Sequence, residues 1–121
     1  TDAQKQEVIR KFNWIKDADG LAALFPSARI ILYDYASAWK GRRKVKATMD
    51  NIARVLLDGL MEIRTGPTET SRPLVFIGHS MGGLVIAKTV TTANAYREQY
   101  QSVLTCTTGC LFFGTPFRGT D

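Results

Sequence analysis

Histidine and cysteine are scarce in this chain. The single histidine, His79, and the two cysteines, Cys106 and Cys110, form no paired Cys-x-x-Cys or His cluster, so neither a zinc site nor a disulfide framework is expected. No metal or organic cofactor is implied, and the two thiols are expected to be buried in an intracellular protein. No run approaches the roughly 18 apolar residues that span a bilayer, and the start of the chain lacks a charged-then-apolar leader. The expectation is an intracellular, cytoplasmic location, with any targeting segment lying upstream of Thr1. G-x-G-x-x-G and G-x-x-x-x-G-K-[ST] are both missing, which removes the two common phosphate-cradling turns.

Acidic residues are the minority, 11 against 16 basic, for a net charge of +5. Much of the excess sits in KGRRKVK, Lys40 to Lys46. The run has no interleaved aromatics, so specific nucleic-acid binding is not expected. A solvated loop leading into a helix is the plainer reading, with contact to an anionic surface, lipid head groups or another protein, as the alternative. With 121 residues and 45% hydrophobic content the chain has material for one small core and not for two.

Val8, Phe12, Ile15, Leu21 and Leu24 fall at mostly helical intervals, interrupted at Asp19-Gly20 and ended by Phe25-Pro26. ARIILYDY then predicts a strand near 29–33, apolar enough to be buried on both faces. Val45, Met49, Ile52, Ala53, Leu56, Leu60 and Ile63 trace a long amphipathic helix that Gly66-Pro67 stops. PLVFIG predicts a second strand near 74–78, GGLVIAKTVTTANAY a buried helix, and GCLFFGT a third strand near 109–114. Strands alternating with helices give an α/β class, a parallel sheet with crossover helices, whose outer strands leave open edges for a protein partner or a second copy. Phe76, Phe112 and Phe113 are expected in the core, and Trp14 and Trp39 as core or rim packing.

Gly78-His79-Ser80-Met81-Gly82 matches G-x-S-x-G, immediately after a strand and before a helix. A serine on so sharp a turn is held at strained backbone angles, and residues without a Cβ must sit beside it. Gly78 and Gly82 supply that room, and Gly83 lets helix and sheet approach closely. The turn exposes the Ser80 hydroxyl at the carboxyl edge of the sheet and aims the Met81 N–H where a tetrahedral oxyanion would form, with the helix dipole behind it. The competing account is a helix-capping serine in a glycine-rich nucleotide-binding turn.

FIGHSMGGLVIAKTV, followed by GCLFFGTPFRGTD, resembles the α/β-hydrolase superfamily. More narrowly, it is similar to the lipase-like serine-hydrolase domains of the serine-active-site-containing protein group, which in fungi often precede nucleotide-binding or repeat-containing signalling regions. NWIKDADGLAALFPSARIILYDYAS resembles the lead-in of that group. The resemblance implies the central part of an α/β-hydrolase fold, with residues 1–121 a single partial domain, and Ser80 as the nucleophile attacking an ester or acyl substrate. Where the group commonly carries a His in a GTPHRGS-like segment, this chain has Phe117.

A serine nucleophile needs a base, and in hydrolase chain order the acid and the histidine follow the serine. His79 precedes Ser80 and leaves the turn on a different side, which fits a packing or hydrogen-bonding role at the elbow. Lys88 is too far along the helix for a Ser-x-x-Lys arrangement, and Asp121 falls a strand early for the usual acid. Nothing before Ile30 reads as the early strand and loop that give the second oxyanion N–H. The expectation is therefore a serine hydrolase domain fragment, esterase- or lipase-like, that works through an acyl-enzyme at Ser80 in the intact parent and is inactive as an isolated chain. The alternative is a non-catalytic hydrolase-fold interaction or signalling module.

Overall fold

The computed structural model describes residues 20–35 and 42–118, with side chains from Thr48 onward in the second stretch. The chain divides into two units, Thr1–Asp34 and Tyr35–Asp121. The helical pattern expected over 5–19, Trp14, Trp39, Lys40 and Asp121 lie outside the described residues.

In the first unit, helix α1 is a single turn, Leu21–Leu24, ended where Phe25 leaves helical angles ahead of Pro26. The strand expected near 29–33 does not form: among the described residues these join no ladder, and the sheet has two strands. An apolar run states a preference for burial, but a strand exists only where its N–H and C=O groups find a neighbouring backbone.

The second unit runs α2 (Arg42–Ile63), α3 (Pro67–Thr70), β1 (Leu74–His79), α4 (Met81–Ala95), α5 (Arg97–Cys106) and β2 (Thr107–Phe113). Helix α2 begins within the basic run, so from Arg42 that segment is helical and not a loop, as the good helix propensity of Arg and Lys allows. Its buried stripe is Met49, Ile52, Ala53, Leu57 and Leu60. Leu57, absent from the pattern above, is fully buried, while Leu56 only flanks the core and Ile63 is exposed. Past its end Arg64 is 6% exposed, and its Nη2 donates to the Arg72 carbonyl across the α3 turn.

Strands β1 and β2 pair in parallel, from Val75 opposite Gly109 to His79 opposite Phe113. The step from Leu74 to Val75 spans two residues of β2, so Thr108 is left over in a bulge, its hydroxyl donating to the Leu74 carbonyl at 3.2 Å. Helices α4 and α5 together make the crossover between the strands. One sheet face packs on the helices: Phe76 and Ile86 join Leu57, Leu60, Ala93, Tyr100 and Val103 in a single core. On the other face Val75, Ile77, Leu111 and Phe113 are exposed, with Phe113 at 56%. Phe112 is also partly exposed, so of the three phenylalanines expected inside only Phe76 is; β2 is an edge strand, and no described element of this unit lies over Phe113.

Helix α4 buries small and β-branched residues, Gly83, Val85, Ile86, Thr89, Thr92 and Ala93, and Thr89 satisfies its hydroxyl by donating to the Val85 carbonyl at 2.6 Å. Helix α5 kinks at Tyr100, whose φ is −115°, and places that ring in the core. The Tyr100 hydroxyl donates to Asp58 Oδ1 at 2.6 Å and accepts from Arg54 Nη1 at 3.2 Å, while the Arg54 guanidinium lies 3.9 Å from the centre of the Tyr96 ring. Burial, and then the bond to Asp58, push the Tyr100 phenol upward. Cys106 and Cys110 are free thiols and half-buried, not fully buried as expected; burial pushes the Cys110 thiol up.

A strained serine at the strand–helix turn

Strand β1 ends at His79 and helix α4 begins at Met81, so one residue makes the whole turn. That residue is Ser80, at φ 55° and ψ −122°, the one non-glycine described residue with positive φ. Such a conformation costs a residue with a Cβ about 1–3 kcal/mol and persists only where neighbours enforce it. Two backbone bonds do so here. Ser80 N–H donates to the Phe113 carbonyl at 2.8 Å, tying the turn to the end of β2, and Gly83 N–H donates to the Ser80 carbonyl at 3.1 Å.

The side chain is the deciding detail against a capping role. Ser80 occupies the N-cap position of α4 yet makes no side-chain cap bond. Among the described residues its hydroxyl has no partner, and neither does the His79 ring, which is exposed at the end of β1. The Met81 N–H, at the positive end of a 15-residue helix, is likewise unclaimed by any described residue. The arrangement sets a half-buried hydroxyl beside an unclaimed amide donor, two of the groups that attack on a carbonyl and capture of its oxyanion require.

The glycines are not equivalent. A Cβ on Gly78 would stand 2.6 Å from Ile86 Cδ1 and 2.8 Å from the backbone of Gly82 and Gly83. A Cβ on Gly83 would run into Thr115, with Cγ2 at 2.6 Å and the hydroxyl nearer still. A Cβ on Gly82 would meet nothing closer than the Tyr35 hydroxyl at 3.5 Å. The room expected at Gly82 is thus required at Gly78 and Gly83, because those two Cα atoms face β1's own helix contact and the chain leaving β2.

Two neighbours of the turn escaped the sequence reading. Tyr35 reaches Gly82 from before α2, and burial pushes its phenol upward. Its position directly after an apolar run was the available signal. Thr115 had none, since its contact depends on the turn at Gly114, φ 60°. Phe117 packs edge-on against Phe112, centroids 5.0 Å apart and planes at 77°.

Protein SERAC1 of Danio rerio is 31% identical over 127 residues, which cover 99% of this chain and 18% of the relative. The chain resembles a segment of SERAC1. The Homo sapiens and Mus musculus SERAC1 proteins are 34% and 33% identical, each over 106 residues, or 82% of this chain and 15% of the relative. The chain therefore spans less than a fifth of the length of the SERAC1 proteins it matches. No family model matches it, and no solved structure does.

Proposed function

We propose that this chain carries the nucleophile-bearing part of a lipase-like serine hydrolase of the α/β-hydrolase superfamily, in which Ser80 attacks an ester or other acyl substrate and forms an acyl-enzyme. The observation that carries the reading is Ser80 itself: positive φ, one-residue strand–helix turn, and a hydroxyl not spent on capping the helix it precedes. In the reaction Ser80 Oγ adds to the carbonyl carbon, its proton passes to a base, and the Met81 N–H donates to the oxyanion. Collapse expels the alcohol or other leaving group, and water then releases the acid.

A second reading, a hydrolase-fold module kept for interaction and not for chemistry, is favoured by the absence of any base at Ser80 Oγ among the described residues. Intact-mass analysis after exposure to a fluorophosphonate separates the two, run on this chain and on a longer natural chain containing it. A single adduct on the native protein that is absent from Ser80→Ala supports the hydrolase. No adduct on either chain sinks it and leaves the module.

A further inference from the structure

Thr115 stands in an unusual place for a polar side chain. Its Oγ1 is inaccessible to solvent and has no hydrogen-bond partner among the described residues, a situation that ordinarily costs stability. The side chain occupies the hollow over Gly83 so closely that Oγ1, Cγ2 and Cβ would all collide with a Cβ there. Gly114, at φ 60°, turns the chain leaving β2 back toward the start of α4 and so delivers Thr115 to that hollow, and Pro116 restricts the residue before it to extended angles. Immediately before this turn, Phe113 gives its carbonyl to the Ser80 N–H.

The segment Phe113–Thr115 therefore grips the serine turn on both sides: a hydrogen bond to the residue that is strained, and a side chain wedged over the first turn of the helix it feeds. We infer that Thr115 is a positioning residue for Ser80, acting by shape: seated in the Gly83 notch, it fixes the start of α4 against the end of β2 and so holds Ser80 at positive φ with the Met81 N–H alongside. The inference rests on the reading of Ser80 as a nucleophile only for its bearing on chemistry, since the grip itself is a property of the fold.

Amide hydrogen exchange followed residue by residue on the full chain tests this without requiring any reaction, with the fluorophosphonate labelling rate as the second readout. Thr115→Ala is expected to speed exchange at Ser80 and Gly83 about tenfold while Leu57 and Ala53, deep in α2, change little. Thr115→Val keeps the shape and drops the hydroxyl, so it should retain slow exchange at Ser80 and the native labelling rate. Gly83→Ala should loosen the turn, and adding Thr115→Gly should restore it by exchanging which side of the notch carries the bulk. Equal acceleration at all amides in Thr115→Ala would reduce Thr115 to general packing and overturn the inference. So would a Thr115→Val chain as loose as Thr115→Ala, or a double variant no better than Gly83→Ala. If neither this chain nor the longer natural chain takes up the reagent, the hydrolase reading falls and the exchange results alone decide the grip.

Discussion

Ile86 Cδ1 lies 2.6 Å from the point where Gly78 would carry a Cβ, so the Ile86 side chain of α4 packs directly on the β1 backbone on the serine's upstream flank. Gly78→Ala must displace Ile86, Gly82 and Gly83 together, two of them through backbone atoms, and is expected to cost about 3 kcal/mol. Gly82→Ala adds only an ordinary contact with the Tyr35 hydroxyl at 3.5 Å in the first turn of α4 and should be neutral or stabilising by up to about 1 kcal/mol. Urea titrations of the two variants check the order, which a motif read letter by letter would have made equal.

Relief of the Ser80 strain should be measurable as stability. Ser80→Gly removes about 1–3 kcal/mol of backbone strain and gives back about 0.5–1 in chain entropy, for a net gain of about 1 kcal/mol and a rise of about 4 °C in Tm. Ser80→Ala keeps the strained Cβ and should melt with the native chain. Calorimetry on both separates strain from loss of the hydroxyl.

Alkaline conditions should weaken the core through Tyr100. Its phenol is raised in the folded chain by burial and by the bond to Asp58, so the folded state resists ionisation more than the unfolded one. The contribution is fully present below the ordinary tyrosine value of about 10 and is lost as pH climbs through the higher folded value. Tyr100→Phe should lower stability by about 1 kcal/mol at neutral pH and flatten the loss above about pH 10. Denaturant midpoints across that range decide it.

Lys88 Nζ and Asp50 Oδ1, 2.6 Å apart, join α4 to α2, but both side chains are at least a third exposed. Lys88→Ala is expected to cost about 0.5 kcal/mol or less, and the difference should vanish in about 1 M salt. Paired melts at low and high salt give the answer.

Strand β1, helix α4 and the turn between them were legible because their signals are local: an apolar run, a glycine-bounded serine and a second apolar run in direct succession. Helix α2 was legible from its period, although Leu57 shows that a stripe one residue wide shifts with small changes in helix angle. Residues 29–33 illustrate the reverse case, in which apolar content was right for a strand and no ladder forms among the described residues. Helix α5 escaped because its few apolar residues, Tyr100, Val103, Leu104 and Cys106, trace no sustained helical stripe and it bends at Tyr100. The grip of Thr115 and the approach of Tyr35 depend on chain segments remote in sequence, and no periodicity encodes them.

The leftover Thr108 sets a parity. Everything in β2 beyond the bulge keeps step with β1, so odd-numbered residues face one way and even-numbered ones the other all the way to the serine turn. Deleting Thr108 itself would only straighten the ladder, but losing a residue between Gly109 and Phe112 would invert that assignment: Phe112 and Phe113 would trade sides, and the carbonyl opposite the Ser80 N–H would no longer be the one before Gly114. Whether the end of the sheet can hold its serine is thus decided by an odd or even count along β2 beyond the bulge.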